Sequence, residues 1–261
     1  MKEIKRVLSY VRRAVDDYNM IQNGDKIAVG VSGGKDSLTL LYALAEMRRF
    51  YPCKYEICAI TIDMGFEGSD FSEVCELCKN LDVEYHIVKT EMYKIIFENR
   101  KESNPCSLCA KMRRGGLNNA AKDLGCNKVA LGHHFDDVVQ TFMLNLFYEG
   151  RIGCFSPVTY LSRVDLNVIR PMIYMPEKDV RYFANKIKLP IIKSLCPANG
   201  NTERESMKKL LASLERQNKG LRYKIFGAIT RGNIDGFIAT KMEGRKNYDD
   251  DSEIIDVQNH E

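Results

Sequence analysis

The residues best equipped for chemistry form one run, Ser32-Gly33-Gly34-Lys35-Asp36-Ser37. The two glycines let the backbone approach a ligand with no Cβ in the way. Lys35 supplies a cation, and Ser32 and Ser37 supply hydroxyls. A helix beginning here would point its first amides outward unpaired, and its dipole would favour an anion. The chemistry on offer is phosphate binding. Two common phosphate loops are excluded by inspection. A Walker A loop requires Gly five positions ahead of the Gly-Lys pair and Ser or Thr after it; here Val29 and Asp36 stand there. The segment Gly30-Val31-Ser32-Gly33-Gly34 does not form a G-x-G-x-x-G fingerprint either.

Cysteines are the second resource, in two C-x-x-C pairs. Cys75 and Cys78 share an apolar helical stripe with Phe71, Val74 and Leu81 and read as core. Cys106 and Cys109 follow Pro105 at the start of a helical pattern instead. A helix N-terminus and the neighbouring Lys111, Arg113 and Arg114 should lower thiol pKa values and favour thiolates. That suits a metal ligand or a sulfur-handling cysteine. A zinc ribbon joining both pairs and a thioredoxin-like redox pair remain open. Carboxylates come third. Asp63 ends an apolar run, where it would face the crevice of an open α/β sheet and contact nucleotide or metal. Asp136 and Asp137 follow His133 and His134 and would hold Mg²⁺ beside a triphosphate. The two histidines read as orienting groups near phosphate.

These groups need elements to position them. Residues 26–31, 56–62, 84–88, 128–132 and 168–172 are apolar or β-branched runs and predict strands, with a short strand at 158–161. Helical periodicity follows most of them, and a first helix runs to about Asn19. Pro176 should open a further helix at its first position. The alternation predicts a doubly wound, Rossmann-like parallel sheet of about five strands with helices on both faces. An N-terminal helix (1–22) precedes a catalytic domain with a C-terminal helical segment (23–246), and an acidic tail (247–261) reads as disordered.

The chain has 261 residues, 44% hydrophobic, and net charge +4. Residues 249–261 hold six acids and no Lys or Arg; without them 39 basic residues face 29 acids, for +10. A basic body suits a polyanionic partner, and Arg113, Arg114, Lys208 and Lys209 are candidate phosphate contacts. No apolar run approaches the roughly 18 residues of a membrane span, and the N-terminus shows no signal core. Nine irregularly spaced cysteines fit a reducing cytoplasm rather than a disulfide framework.

The loop at residues 32–37 resembles the pyrophosphate-binding loop of the N-type ATP pyrophosphatases. That loop, Cys106-Ser107-Leu108-Cys109 with Arg113-Arg114-Gly115, Leu131-Gly132-His133-His134-Phe135-Asp136-Asp137, Gln140-Thr141, Ile169-Arg170-Pro171-Met172 and Cys196 occur in this order. The ensemble resembles the tRNA 2-thiocytidine synthetase family of iron–sulfur-dependent tRNA thiolases over roughly residues 1–240. The resemblance implies a [4Fe–4S] cluster on Cys106, Cys109 and Cys196, with one iron free of protein. It implies ATP on Ser32, Gly33, Gly34, Lys35, Asp36, Ser37, Asp63, Gly132, His133 and Asp137, with Lys35 and Asp36 catalytic and Mg²⁺ on Asp136 and Asp137. It implies adenylation of the C2 oxygen of a tRNA pyrimidine, most simply cytidine 32, and its replacement by sulfur. tRNA is then the partner, held also by Lys111, with a sulfide or persulfide donor such as a cysteine desulfurase, and the enzyme is expected as a cytoplasmic homodimer. Two features depart from the pattern: Pro197 stands where the family has Gly after the third cysteine, and the acidic tail is extra. Cys154 is the rival third ligand. The competing readings are a uridine thiolase, a lysidine-type tRNA ligase, and a nucleotide-binding regulatory protein with structural zinc.

Overall fold

The structure is a computed structural model that describes residues 2–99, 105–193, 195–196 and 203–237. The acidic tail, Pro197 and the residues around them lie outside that set. After helix α1 (Lys2–Asp17) the chain runs β1 (Asp25–Gly30), α2 (Lys35–Met47), β2 (Tyr55–Asp63), α3 (Ser72–Asn80) and β3 (Glu84–Lys89). A turn of π-helix (Lys94–Asn99) leads to α4 (Pro105–Asp123), β4 (Lys128–Ala130) and α5 (Phe135–Tyr148). A hairpin of β5 (Val158–Leu161) and β6 (Leu166–Ile169) precedes α6 (Glu177–Lys186), α7 (Glu203–Gln217) and α8 (Leu221–Arg231).

The sheet has six strands in the order β3-β2-β1-β4-β6-β5. All pairings are parallel except β5 with β6. The short strand expected at 158–161 is β5, which brings the count to six rather than about five; what differs from the expected parallel sheet is its antiparallel pairing at the edge. The apolar runs of β1 and β2 are continuous because both sheet faces are covered. Ile27, Val29, Ile57 and Ala59 meet Val7, Val11, Leu41, Leu44 and Phe183 of α1, α2 and α6 on one face. Ala28, Cys58, Ile60 and Val129 meet Leu117 and Ala121 of α4 on the other. A smaller cluster joins Phe135, Val139 and Met143 of α5 to Met207 and Leu211 of α7. Pro176 caps α6 from just outside rather than opening it, since its φ of −64° is compatible with either place but its ψ of 144° is extended.

Strand order reverses at β1. From there β2 and β3 lie to one side and β4 and β6 to the other. The carboxyl ends of β1 and β4 therefore border the switch-point crevice, where open α/β sheets bind ligands. The loop at residues 32–37 leaves β1 there, and Gly132-His133 leaves β4 there. Gly132 is required for this juxtaposition: a Cβ on it would lie 2.9–3.0 Å from the backbone of Asp36 and Ser37. Gly33 is required twice over, with φ of +79° and a Cβ position 2.9 Å from the Ile192 side chain.

Candidate active site

A cavity of about 540 Å³ opens at the switch point. Ser32, Asp36, Ser37 and Gly132 line it together with Ala110, Arg113 and Arg114 of α4. His133, Asp137, Thr141, Phe155, Arg170 and Arg204 also line it, over an apolar floor that includes Ile60, Ile62 and Leu117. The loop is built for an anion. Gly34 is the N-cap of α2, and no side chain caps the helix. Ser37 instead donates from Oγ to the Gly34 carbonyl (3.0 Å) and accepts from the Ser32 amide (3.1 Å), fixing the loop's curvature. The uncapped amides of the first turn are left for a ligand. The Ile192 amide donates to the Gly33 carbonyl at 2.9 Å, which ties the segment leading to Cys196 onto the loop.

Lys35 is held between carboxylates. Its Nζ lies 3.0 Å from both Asp36 oxygens and 3.2 Å from Glu177 Oε1. Burial alone would lower its pKa, but Asp36 and Glu177 outweigh that and hold it above its ordinary value. Glu177 also takes Lys208 (3.0 Å) and Arg181 (3.2 Å). Burial would raise its pKa, yet Lys208 and Lys35 bring it down to about 2. Sequence reasoning missed Glu177, because an acid just after Pro176 reads as a plain helix-dipole complement. It also assigned Lys208 to RNA, whereas the structure turns that side chain inward onto Glu177. Lys209 is exposed, as are Lys111, Arg113 and Arg114.

The paired acids after β4 separate. Asp136 is 5% exposed; its Oδ2 accepts the Glu177 amide at 2.7 Å, and its Oδ1 pairs with Arg222. Both oxygens are spent on joining α5, α6 and α8, so the expectation of Asp136 as a Mg²⁺ ligand is corrected. Asp137 lines the cavity. It forms a capping box with His134 and pairs with Arg204 at 3.0 Å. His134 is thus first a helix cap, with Nε2 3.7 Å from Asp36 Oδ1. Asp63 Oδ1 accepts the Gly65 amide at 3.0 Å and shapes the turn after β2; its neighbour Ile62 lines the cavity instead.

His133 stands on the cavity wall with its ring 4.8 Å from that of Phe155. Burial, then the nearby Arg170, lowers its pKa to about 4, so the imidazole is neutral at physiological pH.

The cysteines divide sharply. Cys78 is buried in the main core, and burial pushes its thiol up to about 12. Cys75 is only half-buried, so one member of that pair is core and the other its margin. Cys106 is exposed and Cys109 half-buried in the first turn of α4. That turn sits on Met64, Met92 and Ile96. Burial raises the Cys109 pKa, Arg113 draws it back, and Cys196 and Cys106 push it up again. The expected lowering by the helix and its basic neighbours is corrected: desolvation and two neighbouring thiols win. Cys106 and Cys196 are thus both close enough for their fields to reach Cys109. Among the described residues no three His, Cys, Asp or Glu side chains are grouped as they would be around a metal ion. The donor set still suits a soft metal centre: three thiols, one exposed, with no carboxylate among them. Cys154, the rival, is half-buried against the main core. Burial pushes its thiol up to about 12, and it donates to the Phe155 carbonyl.

Comparison with known proteins sets this site in context. Residues 6–212 match the PP-loop domain family. The chain is 40% identical over 233 residues to the tRNA-cytidine(32) 2-sulfurtransferase of Geobacter sulfurreducens, covering 88% of this chain and 90% of that one. It is 40% identical to the protein of that name from Ralstonia pickettii, covering 86% and 72%. Among solved structures it resembles the U34-tRNA thiolase NcsA of Methanococcus maripaludis with its [4Fe-4S] cluster. That match has a TM-score of 0.72 and 29% identity, over 88% of this chain and 78% of that one.

Proposed function

We propose, from the premise that this chain belongs to the PP-loop family of tRNA-cytidine(32) 2-sulfurtransferases, that its switch-point cavity couples ATP-driven activation of cytidine 32 to sulfur insertion. The chain is a tRNA sulfurtransferase of the PP-loop ATP-binding class. The observation that carries the finer reading is geometric. One cavity is lined by the uncapped N-terminus of α2 and by Ala110, Arg113 and Arg114, the α4 residues that follow Cys109.

ATP phosphates sit on residues 32–37, where backbone amides, Ser32, Ser37 and Lys35 meet their charge. The C2 oxygen of the base attacks the α-phosphate and pyrophosphate leaves. Lys35 stabilises the charge that develops on the phosphates. To do so it exchanges Asp36 and Glu177 for phosphate oxygens, which makes the Lys208–Glu177 pair the holder of the vacated carboxylate. Mg²⁺ accompanying the triphosphate would be held by Asp36 and Asp137, the carboxylates of the cavity wall. Sulfur then replaces the adenylated oxygen at C2, and AMP leaves.

Cys106, Cys109 and Cys196 would hold a [4Fe–4S] cluster. When bound, it supplies an iron site without a protein ligand at which a sulfur nucleophile can be kept. The raised pKa of Cys109 is no obstacle, because a coordinating metal deprotonates its thiol outright. Arg113 and Arg114, exposed beside this turn, would contact tRNA phosphates together with Lys111. The reading carries with it a sulfide or persulfide donor, such as a cysteine desulfurase. It also carries a cytoplasmic setting shared with tRNA, and a homodimer that sedimentation would detect.

The test is nucleoside mass spectrometry of tRNA from cells lacking the protein, with product analysis of the purified enzyme. 2-Thiocytidine should vanish, and ATP should yield AMP and pyrophosphate. Loss of 2-thiouridine instead would shift the reading to a uridine thiolase. ADP and phosphate as products would reject it.

A further inference from the structure

The cavity contains a cation that the proposed ATP chemistry leaves unused. Arg170 follows β6, lines the cavity, and donates from Nη1 to the Ser156 carbonyl (2.6 Å) and to Thr159 Oγ1 (3.1 Å). Those two bonds fix the plane of its guanidinium. Nε is buried without a partner, and no carboxylate pairs with this side chain among the described residues. Desolvation, then the field of Arg114, lowers its pKa to about 10. A desolvated, uncompensated guanidinium is costly, and the cost falls when a ligand brings acceptors to it.

What the ligand offers can be read from the neighbours. The Arg170 guanidinium carbon lies 5.1 Å from the centre of the Phe155 ring, and His133 packs on the same ring. A phosphate gains nothing from an aromatic face, and phosphates already have the α2 N-terminus and Lys35. A flat heterocycle gains from ring and guanidinium planes alike. The imidazole of His133 is neutral, so of the two polar groups packed on Phe155 only Arg170 is charged. The corner shares its cavity with Ala110, Arg113 and Arg114, the α4 residues that follow Cys109. A base between the loop and those residues would present C2 to both chemistries.

We propose that Phe155, His133 and Arg170 form the seat of the target base, and that Arg170 reads the O2–N3 edge of cytosine. This rests on the function proposed above. Cytosine presents two acceptors on that edge. Uracil presents its O2 acceptor beside an N3–H donor, which would face guanidinium donors and leave them unpaired. Arg170 thereby becomes a specificity-determining residue and Phe155 a stacking platform.

The experiment uses the anaerobically reconstituted protein and anticodon stem–loop RNAs carrying cytosine, uracil or an abasic site at position 32. Binding is read by fluorescence anisotropy, and affinity for a non-hydrolysable ATP analogue is titrated separately. The wild type should bind the cytosine RNA roughly 10-fold or more tightly than the abasic one, as expected for a stacked base, with uracil between. Phe155→Leu should collapse the cytosine-to-abasic gap. Arg170→Gln should collapse the cytosine-to-uracil gap, and both should keep affinity for the ATP analogue. If Arg170→Gln fails to fold, Arg170→Lys, which keeps the charge and loses the planar fork, must lose the cytosine preference. No gap in the wild type, or full gaps in both variants, overturns the base seat. Weakened ATP-analogue binding in Arg170→Gln with the gaps intact makes Arg170 a phosphate ligand and also overturns it. Gaps as expected, but no AMP formed by the wild type with the cytosine RNA, reject the reaction and leave the base seat standing.

Discussion

Cys75–Cys78 and Cys106–Cys109 share one spacing and lie on helices of one domain, yet they have opposite surroundings. The α3 pair sits mid-helix on a face that meets Val74 and Leu81, with Cys78 fully buried. The α4 pair opens its helix, has an exposed member, lies near Arg113 and is reached by the field of a third cysteine from a distant segment. Spacing i, i+3 tells only that two thiols share a face. Whether they can do chemistry depends on where in the helix that face falls and what approaches it. Burial raises the thiol pKa in both pairs. Only the second pair has cations and further thiols close by.

The largest expected effect tests that contrast directly. Cys106→Ser, Cys109→Ser and Cys196→Ser should each abolish single-turnover thiolation and lower iron content after anaerobic reconstitution. Cys75→Ala and Cys78→Ala should keep iron and activity. Full iron in Cys196→Ser would dissolve the three-cysteine set. Loss of iron in the α3 variants would make the two pairs one site.

The contrast sharpens at the other end of the cavity. Lys35→Ala should leave iron content unchanged while AMP release falls about 10²–10³-fold, the range for losing one preorganised donor to developing charge. A parallel loss of iron would mean that the loop and the cysteine turn are not separable. Glu177→Gln should cost less, since Asp36 still pairs with Lys35.

Uncompensated burial also has a readout in stability, at His133. Its folded pKa of about 4 lies below its ordinary 6.5 because burial, then Arg170, disfavour the imidazolium. Below pH 6.5 the unfolded chain takes up a proton that the native state refuses. Stability should therefore fall as pH drops from 6.5 toward 4, by about 3 kcal/mol for this group. The group's contribution is constant above that window. His133→Gln should flatten this part of the thermal-melting profile against pH. An unchanged profile would show that His133 is not desolvated in solution.

The sequence made some of this arrangement legible and hid the rest for physical reasons. Strands β1 and β2 were legible because both faces are buried, and the loop at 32–37 because glycines beside Lys35 have few other uses. Strand β5 was legible as a short strand, but its antiparallel pairing was not, since alternating strands and helices predict parallel neighbours. Asp136 looked like a metal ligand because its partner Arg222 lies 86 residues away, and no local pattern announces such a pair. Lys208 looked like an RNA contact because a basic helix face is ambiguous until Glu177 is seen beneath it. Arg170 and Phe155 became a site only when the β5–β6 hairpin brought them together.

The smallest expected effect lies within the quiet pair itself. Cys78 is fully buried and packs in the core, whereas Cys75 is half-buried at its edge. Truncating a small buried side chain removes its transfer energy and leaves a cavity, while truncation at a margin lets solvent or neighbours fill in. Cys78→Ala should therefore lower stability by about 1 kcal/mol, and Cys75→Ala should stay within about 0.5 kcal/mol of wild type. Urea titration, comparing midpoints at constant m-value, separates the two. Equal losses would place both thiols in the core, as the sequence stripe suggests. A Cys75 loss exceeding that of Cys78 would mean that α3 packs with a different face toward the sheet, and the contrast between the two cysteine pairs would need to be drawn again.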